Sequence, residues 1–399
     1  MNASASNNFD VIVVGGGMVG ATLAAALGGS GLKTAVVETD EQPTAVAVDA
    51  DFDLRISSLN LAAVRLLSDI GAWPLIPEAR RCAFRRIEAW DEHDRGGIHF
   101  DAQELDLPGF GYFVENRLLS HVVWQRLDAL LNISLYPTTG PVALRTDSDQ
   151  AELELGSGET LTADLVVGAD GAASTIRALA GIDTVDHDYQ QRALIINVAT
   201  RLPQQDVSWQ RFTADGPQAM LPLPGHRASL VWYGTPEQTR EREQLDDAAL
   251  KEAIERDFPP RLGGIDSVLG RGSFPIRRRH ARRYVTERVA LVGDAAHVIH
   301  PLAGQGLNLG LQDAATLATE LTAAKARGGD PGDRHVLSRY ARRRRPQVQA
   351  MIAATEGFHR LFTGAAPLRL AGNAALALAD RFTPGKRLMM RIALGLGPN

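Results

Sequence analysis

The sequence predicts an α/β fold: a mainly parallel sheet built from strand, loop and helix units, an antiparallel sheet inserted into it, and a helical carboxyl end. Three observations carry this expectation. Apolar runs of strand length at residues 9–14, 161–167 and 289–292 each break at a glycine-containing loop and resume as a helical pattern. Between residues 189 and 274 the pattern changes to short strands separated by Gly/Pro turns, which reads as an antiparallel sheet roofing a substrate pocket. After Gly328-Gly329-Asp330-Pro331 only helical patterns remain. Three strand-to-helix loops in one chain suggest loops gathered at one edge of a sheet, where open α/β sheets bind ligands.

The first unit runs from the strand at 9–14 through Gly15-Gly16-Gly17-Met18-Val19-Gly20 into an Ala/Leu helix at 21–27, and then to a strand at 34–37 that ends in Glu38. In a dinucleotide site of this form Gly15 makes the tight turn, Gly17 admits a pyrophosphate, Gly20 lets helix and strand pack, and Glu38 takes ribose hydroxyls. Residues 44–53 read as an irregular loop. It leads through Arg55 to a helix at 61–67; an arginine just ahead of a helix can form a surface ion pair, here with Asp51 or Asp53, or reach phosphate or lie on a planar ring. Short strands at 86–90 and 97–100 follow, then an amphipathic helix opened by Glu115-Asn116-Arg117 and a hairpin over 142–155. The strand at 161–167 ends in Gly168-Ala169-Asp170-Gly171.

In the middle region Trp209, Phe212, Trp232 and Tyr233 read as sheet-face core, a charged helix is expected near 245–258, and the basic residues 277–283 read as a solvated turn. The third unit is the most informative stretch: Gly293-Asp294, His297, His300-Pro301, then Gly304-Gln305-Gly306-Leu307-Asn308 opening a small-residue helix. Its glycines allow backbone N–H groups to approach a ligand, and the helix turns its partly positive amino end to the same place. Asp294 can accept from sugar hydroxyls. The carboxyl end is expected as helices at 335–355, 357–362, 368–380 and 386–394, with Arg342 to Arg345 on a mostly solvated face. Its cations could lie on an anionic lipid surface, or the helices could pack on the body or on a partner.

Composition narrows the classes. At 399 residues and a net charge of −5, without a basic stripe interleaved with aromatics, nucleic-acid binding is not expected. The single cysteine, Cys82, excludes an internal disulfide, a CxxC redox pair and a multi-cysteine metal site, and no metal is expected. No secretion signal or spanning segment is visible, so a cytoplasmic protein is expected, possible also at the inner face of a membrane.

The three motifs together, Gly15-x-Gly17-x-x-Gly20, Asp170-Gly171 and Gly293-Asp294 followed by Pro301-x-x-Gly304-x-Gly306-x-Asn308, resemble the single-component FAD-dependent aromatic hydroxylases over nearly the whole chain. Within that class, Arg55-Ile56-Ser57, the segment 112–116, the segment 297–306 and Lys386-Arg387 resemble the ubiquinone-biosynthesis hydroxylases. The segments 82–90, 209–217 and 228–233 are most similar to members acting on a 3-methyl-6-methoxy-1,4-benzoquinol intermediate.

The resemblance implies a Rossmann-like FAD-binding domain (1–80, 112–182 and 285–330), an inserted β-sheet substrate domain (81–111 and 183–284) and a helical region (331–399), as in p-hydroxybenzoate hydroxylase. It implies that Gly15, Gly17, Gly20 and Glu38 hold the ADP half of FAD, that Arg55 and Arg117 contact the cofactor, and that Asp294 binds its ribityl or pyrophosphate part. Pro301, Gly304, Gly306, Leu307 and Asn308 would lie along the flavin. Asp170 and Gly171 would serve FAD together with a transient NAD(P)H. The reaction implied adds O2 at C4a of the reduced flavin and passes one oxygen to the ring of a polyprenyl quinol. Subunits of a ubiquinone-biosynthesis complex are the implied partners. A hydroxylase of a soluble phenol, or a non-catalytic flavin- and lipid-binding subunit, stands as the alternative, and no catalytic side chain is singled out.

Overall fold

The computed structural model describes residues 7–92, 97–203, 205–363, 385–387, 390–391 and 394–395. Its first sheet centres on Asn8–Val14, whose Val11, Ile12 and Val13 are fully buried. Thr34–Val37 and then Ile133–Tyr136 lie parallel on one side, and Thr160–Gly168 and then Val289–Leu291 lie parallel on the other. A continuous apolar run, not alternation, marks the central strand because the sheet is buried on both faces. The chain leaves the first strand in one direction and returns on the opposite side. The order therefore reverses between Asn8–Val14 and Thr160–Gly168, and a crevice for a ligand opens at their carboxyl ends. The hairpin Pro141–Thr146 and Ala151–Leu155 pairs antiparallel with the early part of Thr160–Gly168.

The second sheet has eight strands, built around the 17-residue strands Thr184–Thr200 and Ile265–Ala281. It is antiparallel except where Val207–Thr213 runs parallel to Arg86–Asp91, which arrives from an earlier part of the chain. The arginines expected in a turn are instead largely strand: Arg279 faces Asp186 and Arg277 faces Asp188 across the ladder, each in an ion pair. Reading that run by itself missed the acids opposite it, which lie about ninety residues earlier. Helix Asp247–Asp257, capped by Asp246, forms where a charged helix was expected, and an unforeseen helix, Pro236–Gln244, precedes it with a capping box from Thr235 and Gln238. Leu250, Ala253, Ile254 and Phe258 bury one face of the sheet with Leu194, Ile196, Val198, Trp209 and Trp232.

A small third sheet joins Ile56–Asn60, Gly111–Glu115 and Cys82–Phe84. At the carboxyl end, Arg334–Thr363 is one helix that carries Pro346 inside it, where two helices were expected. On this helix Arg342, Arg343 and Arg345 are exposed, in keeping with the mostly solvated face expected, and Arg344 is the one of the four that is buried. The expected helix at 368–380 lies outside the described residues. Among the described residues near the end, Lys386 pairs with Glu104 at 2.8 Å, and Met390 and Leu394 are buried with Phe84, Phe110 and Phe113. These residues pack on the body. No helix among the described residues is long and apolar enough to cross a membrane.

Candidate functional site

The glycine loop after Asn8–Val14 separates packing from access. A Cβ on Gly20 would sit 1.9 Å from the Gly15 carbonyl oxygen, and one on Gly15, whose φ is +104°, would sit 2.4 Å from that of Ala169. Gly17 has nothing within 4 Å of such an atom, so its backbone is the part left open to a ligand. Glu38, at the end of the neighbouring strand, accepts from Gly16 N–H at 2.6 Å. Trp124 donates from Nε1 to the Gly16 carbonyl at 2.6 Å, a buried contact across 108 residues that no local pattern announced. Glu38 also accepts from Thr39 and from Asp40 N–H. A carboxylate offers about four lone-pair positions, so acceptor capacity for a ribose hydroxyl remains.

The second and third loops meet the first. Asp170 is engaged as a helix cap, accepting from the Ser174 hydroxyl at 2.5 Å and from Ile176 N–H at 3.0 Å, while Gly171 beside it is open at φ +77°. Buried Arg177 ties the two loops by donating to the carbonyls of Ala172 and Ala295. Behind Gly293, whose φ is +60°, Asp313 accepts from Gly293 N–H at 3.0 Å, from His297 Nε2 at 2.6 Å and from Arg344 Nε at 2.6 Å. Burial alone would raise the Asp313 pKa, but His297 and Arg344 outweigh it and hold the carboxyl below its usual range. Asp294 differs. Its neighbours Gly293 and Ala295 are buried while its own side chain is exposed, aimed out of the loop. Although solvent reaches it, the protein packed around its carboxyl raises its pKa by desolvation against the opposing pull of His297 and Arg55.

A second buried pair fixes the loop before Arg55. Arg80 and Glu115 form two bonds of 2.7 Å, Arg80 also donates to the carbonyls of Val48 and Ala50, and Glu115 accepts from Asp53 N–H. Arg117 is drawn into this scaffold through the Asp51 carbonyl and Glu115. Arg55 is exposed, with its guanidinium unbonded among the described residues. Asn308 spends its amide on backbone, accepting from Asn60 N–H at 2.9 Å and donating to the Ser58 carbonyl at 2.8 Å, so it pins the start of helix Gly306–Ala326. That helix start, at Gly306 and Leu307, has no side-chain cap, and Gly304 before it has φ +61°. Sequence reasoning had no means of finding Arg80, Asp313 or Arg344, whose partners lie between 16 and 35 residues away.

The uncovered face of the large sheet stands over these loops. Asn197 Nδ2 donates to the carbonyls of Phe52 and Asp53, Leu54 lies against Gly270 and Gly272, and Leu302 packs with Ile98 and Phe212. The donors and acceptors left free, with the open glycines, suit a long ligand carrying a pyrophosphate and a planar ring, and so fit FAD.

A family model described as an FAD binding domain matches residues 8–355. The chain is 41% identical over 388 residues to the 3-demethoxyubiquinol 3-hydroxylase of Escherichia coli (strain K12), covering 97% of this chain and 98% of that protein. It is 39% identical over 402 residues to the ubiquinone hydroxylase UbiL of Rhodospirillum rubrum, covering 100% of this chain and 93% of that protein. Among solved structures, pqsL of Pseudomonas aeruginosa superimposes with a TM-score of 0.78 at 24% identity, over 92% of this chain and 100% of that one. The p-nitrophenol 4-monooxygenase PnpA of Pseudomonas putida DLL-E4 gives 0.78 at 21% identity, over 98% and 99%. At such identities the structures speak for the fold, which is that of p-hydroxybenzoate hydroxylase-like flavoproteins. The chain belongs to this FAD binding domain family, as an FAD-dependent monooxygenase among the ubiquinone-biosynthesis hydroxylases.

Proposed function

We propose that this protein hydroxylates the ring of a polyprenyl benzoquinol in ubiquinone biosynthesis, at the step taken by the Escherichia coli relative. One atom of O2 enters the ring and the other leaves as water, with the electrons coming from NAD(P)H. The observation that carries the reading is 41% identity along nearly the full length of both chains. FAD, when bound, supplies the hydride acceptance and the activation of O2. In this reading Gly15, Gly17, Gly20 and Glu38 hold its ADP half, Arg55 and Asp294 meet its middle, and Pro301, Gly304, Gly306 and Leu307 line the ring. Asp170, Arg117 and Asn308 hold those loops in place, because their side chains already bind protein backbone or protein side chains. The large sheet excludes water and fixes the quinol over the ring, where a carbon held within about 3–3.5 Å of the reacting atom gains most from orientation.

The division expected from the sequence, with 1–80, 112–182 and 285–330 holding FAD and 81–111 and 183–284 holding substrate, belongs to the same proposal. So does location. A polyprenyl tail gains about 0.8 kcal/mol per buried CH2 and does not wait free in water. The quinol is collected from the inner face of a membrane or from a subunit of a biosynthetic complex. Arg387 is exposed and suits that contact, whereas Lys386 is occupied by Glu104.

The test is deletion of the gene in its host, with mass spectrometry of the accumulated quinone. An intermediate short of one ring oxygen, after the methyl and first methoxy groups are in place, supports the assigned step. A less decorated phenol moves the protein to another step, and unaltered ubiquinone together with no turnover of a short-chain quinol in vitro removes the reading.

A further inference from the structure

Two polar tips on stacked rings have no partner among the described residues. His300 is fully buried. Its Nδ1 accepts from Leu302 N–H at 3.3 Å, which places the proton of a neutral ring on Nε2, and that atom has no hydrogen-bond partner and is closed to water. Tyr233, 4% exposed, lies parallel to it with ring centroids 6.0 Å apart and an interplanar angle of 8°, and its hydroxyl has no partner either. Tyr189 and His359 pack edgewise or tilted on the other sides of His300 and hold its plane. Burial keeps both groups uncharged, lowering the His300 pKa to about 3 and raising that of Tyr233.

Their position is what gives the pair meaning. Tyr233 is opposite Ala193 across the ladder, so it shares a face with Asn197, four residues further along the same strand as Ala193, and Asn197 reaches the loop before Arg55. This is the face turned to the cofactor edge. His300 immediately precedes Pro301 in the segment that lines that edge, and Leu302 after it packs on the same sheet through Phe212. An unpaired buried polar atom such as His300 Nε2 is rare in folded proteins, and beside a stacked tyrosine whose hydroxyl bonds no group among the described residues a ligand atom is the natural complement.

We propose that Tyr233 and His300 together hold one ring hydroxyl of the quinol: His300 Nε2–H donates to the hydroxyl oxygen, and the hydroxyl O–H donates a hydrogen bond to the Tyr233 oxygen. This rests on the quinol reading above and names the protein groups that would set the ring's orientation. A hydroxyl can satisfy both at once because it is donor and acceptor. An O-methylated ring keeps the acceptor and loses the donor, and its methyl group meets the tyrosine.

The test uses the FAD-loaded protein without NAD(P)H and under nitrogen. Two probes are titrated by their perturbation of the flavin absorbance: a short-chain 6-methoxy-3-methyl-1,4-benzoquinol and its bis-O-methyl ether. The unaltered protein should prefer the quinol. Tyr233→Phe removes one oxygen and nothing else. His300→Asn keeps an acceptor near the Nδ1 position for Leu302 and removes Nε2–H. Each should weaken quinol binding about ten-fold, a single hydrogen bond's worth, and leave the ether's affinity, the FAD content and the thermal midpoint unchanged or higher. Equal loss for both probes, or no loss for either with Tyr233→Phe, overturns the pairing while leaving the quinol reading intact. If the unaltered protein binds neither probe, the quinol reading fails and this inference with it.

Discussion

At the carboxyl edge of the parallel sheet the buried carboxylates sit in satisfied sets, with only His297 Nδ1 of those sets left without a partner among the described residues, whereas on the inward face of the large antiparallel sheet several polar atoms have none. Asp313 has Gly293, His297 and Arg344; Glu115 has Arg80 and Asp53. On that inward face Ser229 Oγ, Asn197 Oδ1 and Gln210 Nε2 are buried without hydrogen bonds, and so is His300 Nε2 on the loop stacked against Tyr233. The first region must keep its backbone shape before any ligand arrives, since glycine loops have little intrinsic rigidity. Its charges are spent on holding it. In the proposed function the second would meet a ring whose hydroxyl and methoxy groups bring their own donors and acceptors, and polar atoms left unpaired there come at a cost to the ligand-free protein.

The largest effect is expected from breaking the satisfied side. Asp313→Ala leaves Arg344 buried without a counter-charge and His297 without its hydrogen-bond acceptor, and should cost about 3–5 kcal/mol, read as a lower urea midpoint. A loss under about 1 kcal/mol would mean that the network holds nothing. Next, Gly20→Val drives a side chain into the Gly15 carbonyl and should cost about 1–3 kcal/mol and strip the flavin from the purified protein. Full flavin content in that variant would contradict the packing role of the glycine.

Acid should act on both regions in separate windows. Burial lowers His300 to about 3 and His280 to about 4. Because both are depressed, the unfolded chain binds more protons in this range. Stability is complete above the unfolded histidine pKa of about 6.5 and is lost progressively as pH falls below it. Asp313, also depressed, adds its loss only below the ordinary carboxylate range. His300→Asn should flatten the thermal-midpoint profile between about pH 6 and 4, and an unchanged slope would remove His300 from it. The smallest effect is expected from Ser229→Ala. Removing a buried hydroxyl that bonds nothing should change stability by no more than about 0.5 kcal/mol either way. A loss beyond about 1.5 kcal/mol would show that Ser229 has a protein partner after all.

The sequence by itself determined the glycine loops at the carboxyl edge of the parallel sheet. Gly15, Gly17, Gly20, Glu38, Gly293 and Asp294 carry their meaning in local order, because a tight turn, a left-handed residue and a helix start are set by neighbours a few residues apart. It also fixed the central strands to within a residue, since a continuous apolar run needs no distant partner to be recognised. Local order was silent or misleading wherever a polar residue's fate depends on what faces it. Arg344 looked solvated and is buried on Asp313; Arg277 and Arg279 looked like a turn and are strand, paired with Asp188 and Asp186. Asp170 and Asn308 stood out as ligand contacts and spend their side chains on helix caps and strand backbone. Only the tertiary structure decided these, because a charged or amide group is satisfied by whichever donor or acceptor the fold brings within about 3 Å, and neither spacing nor composition records that encounter.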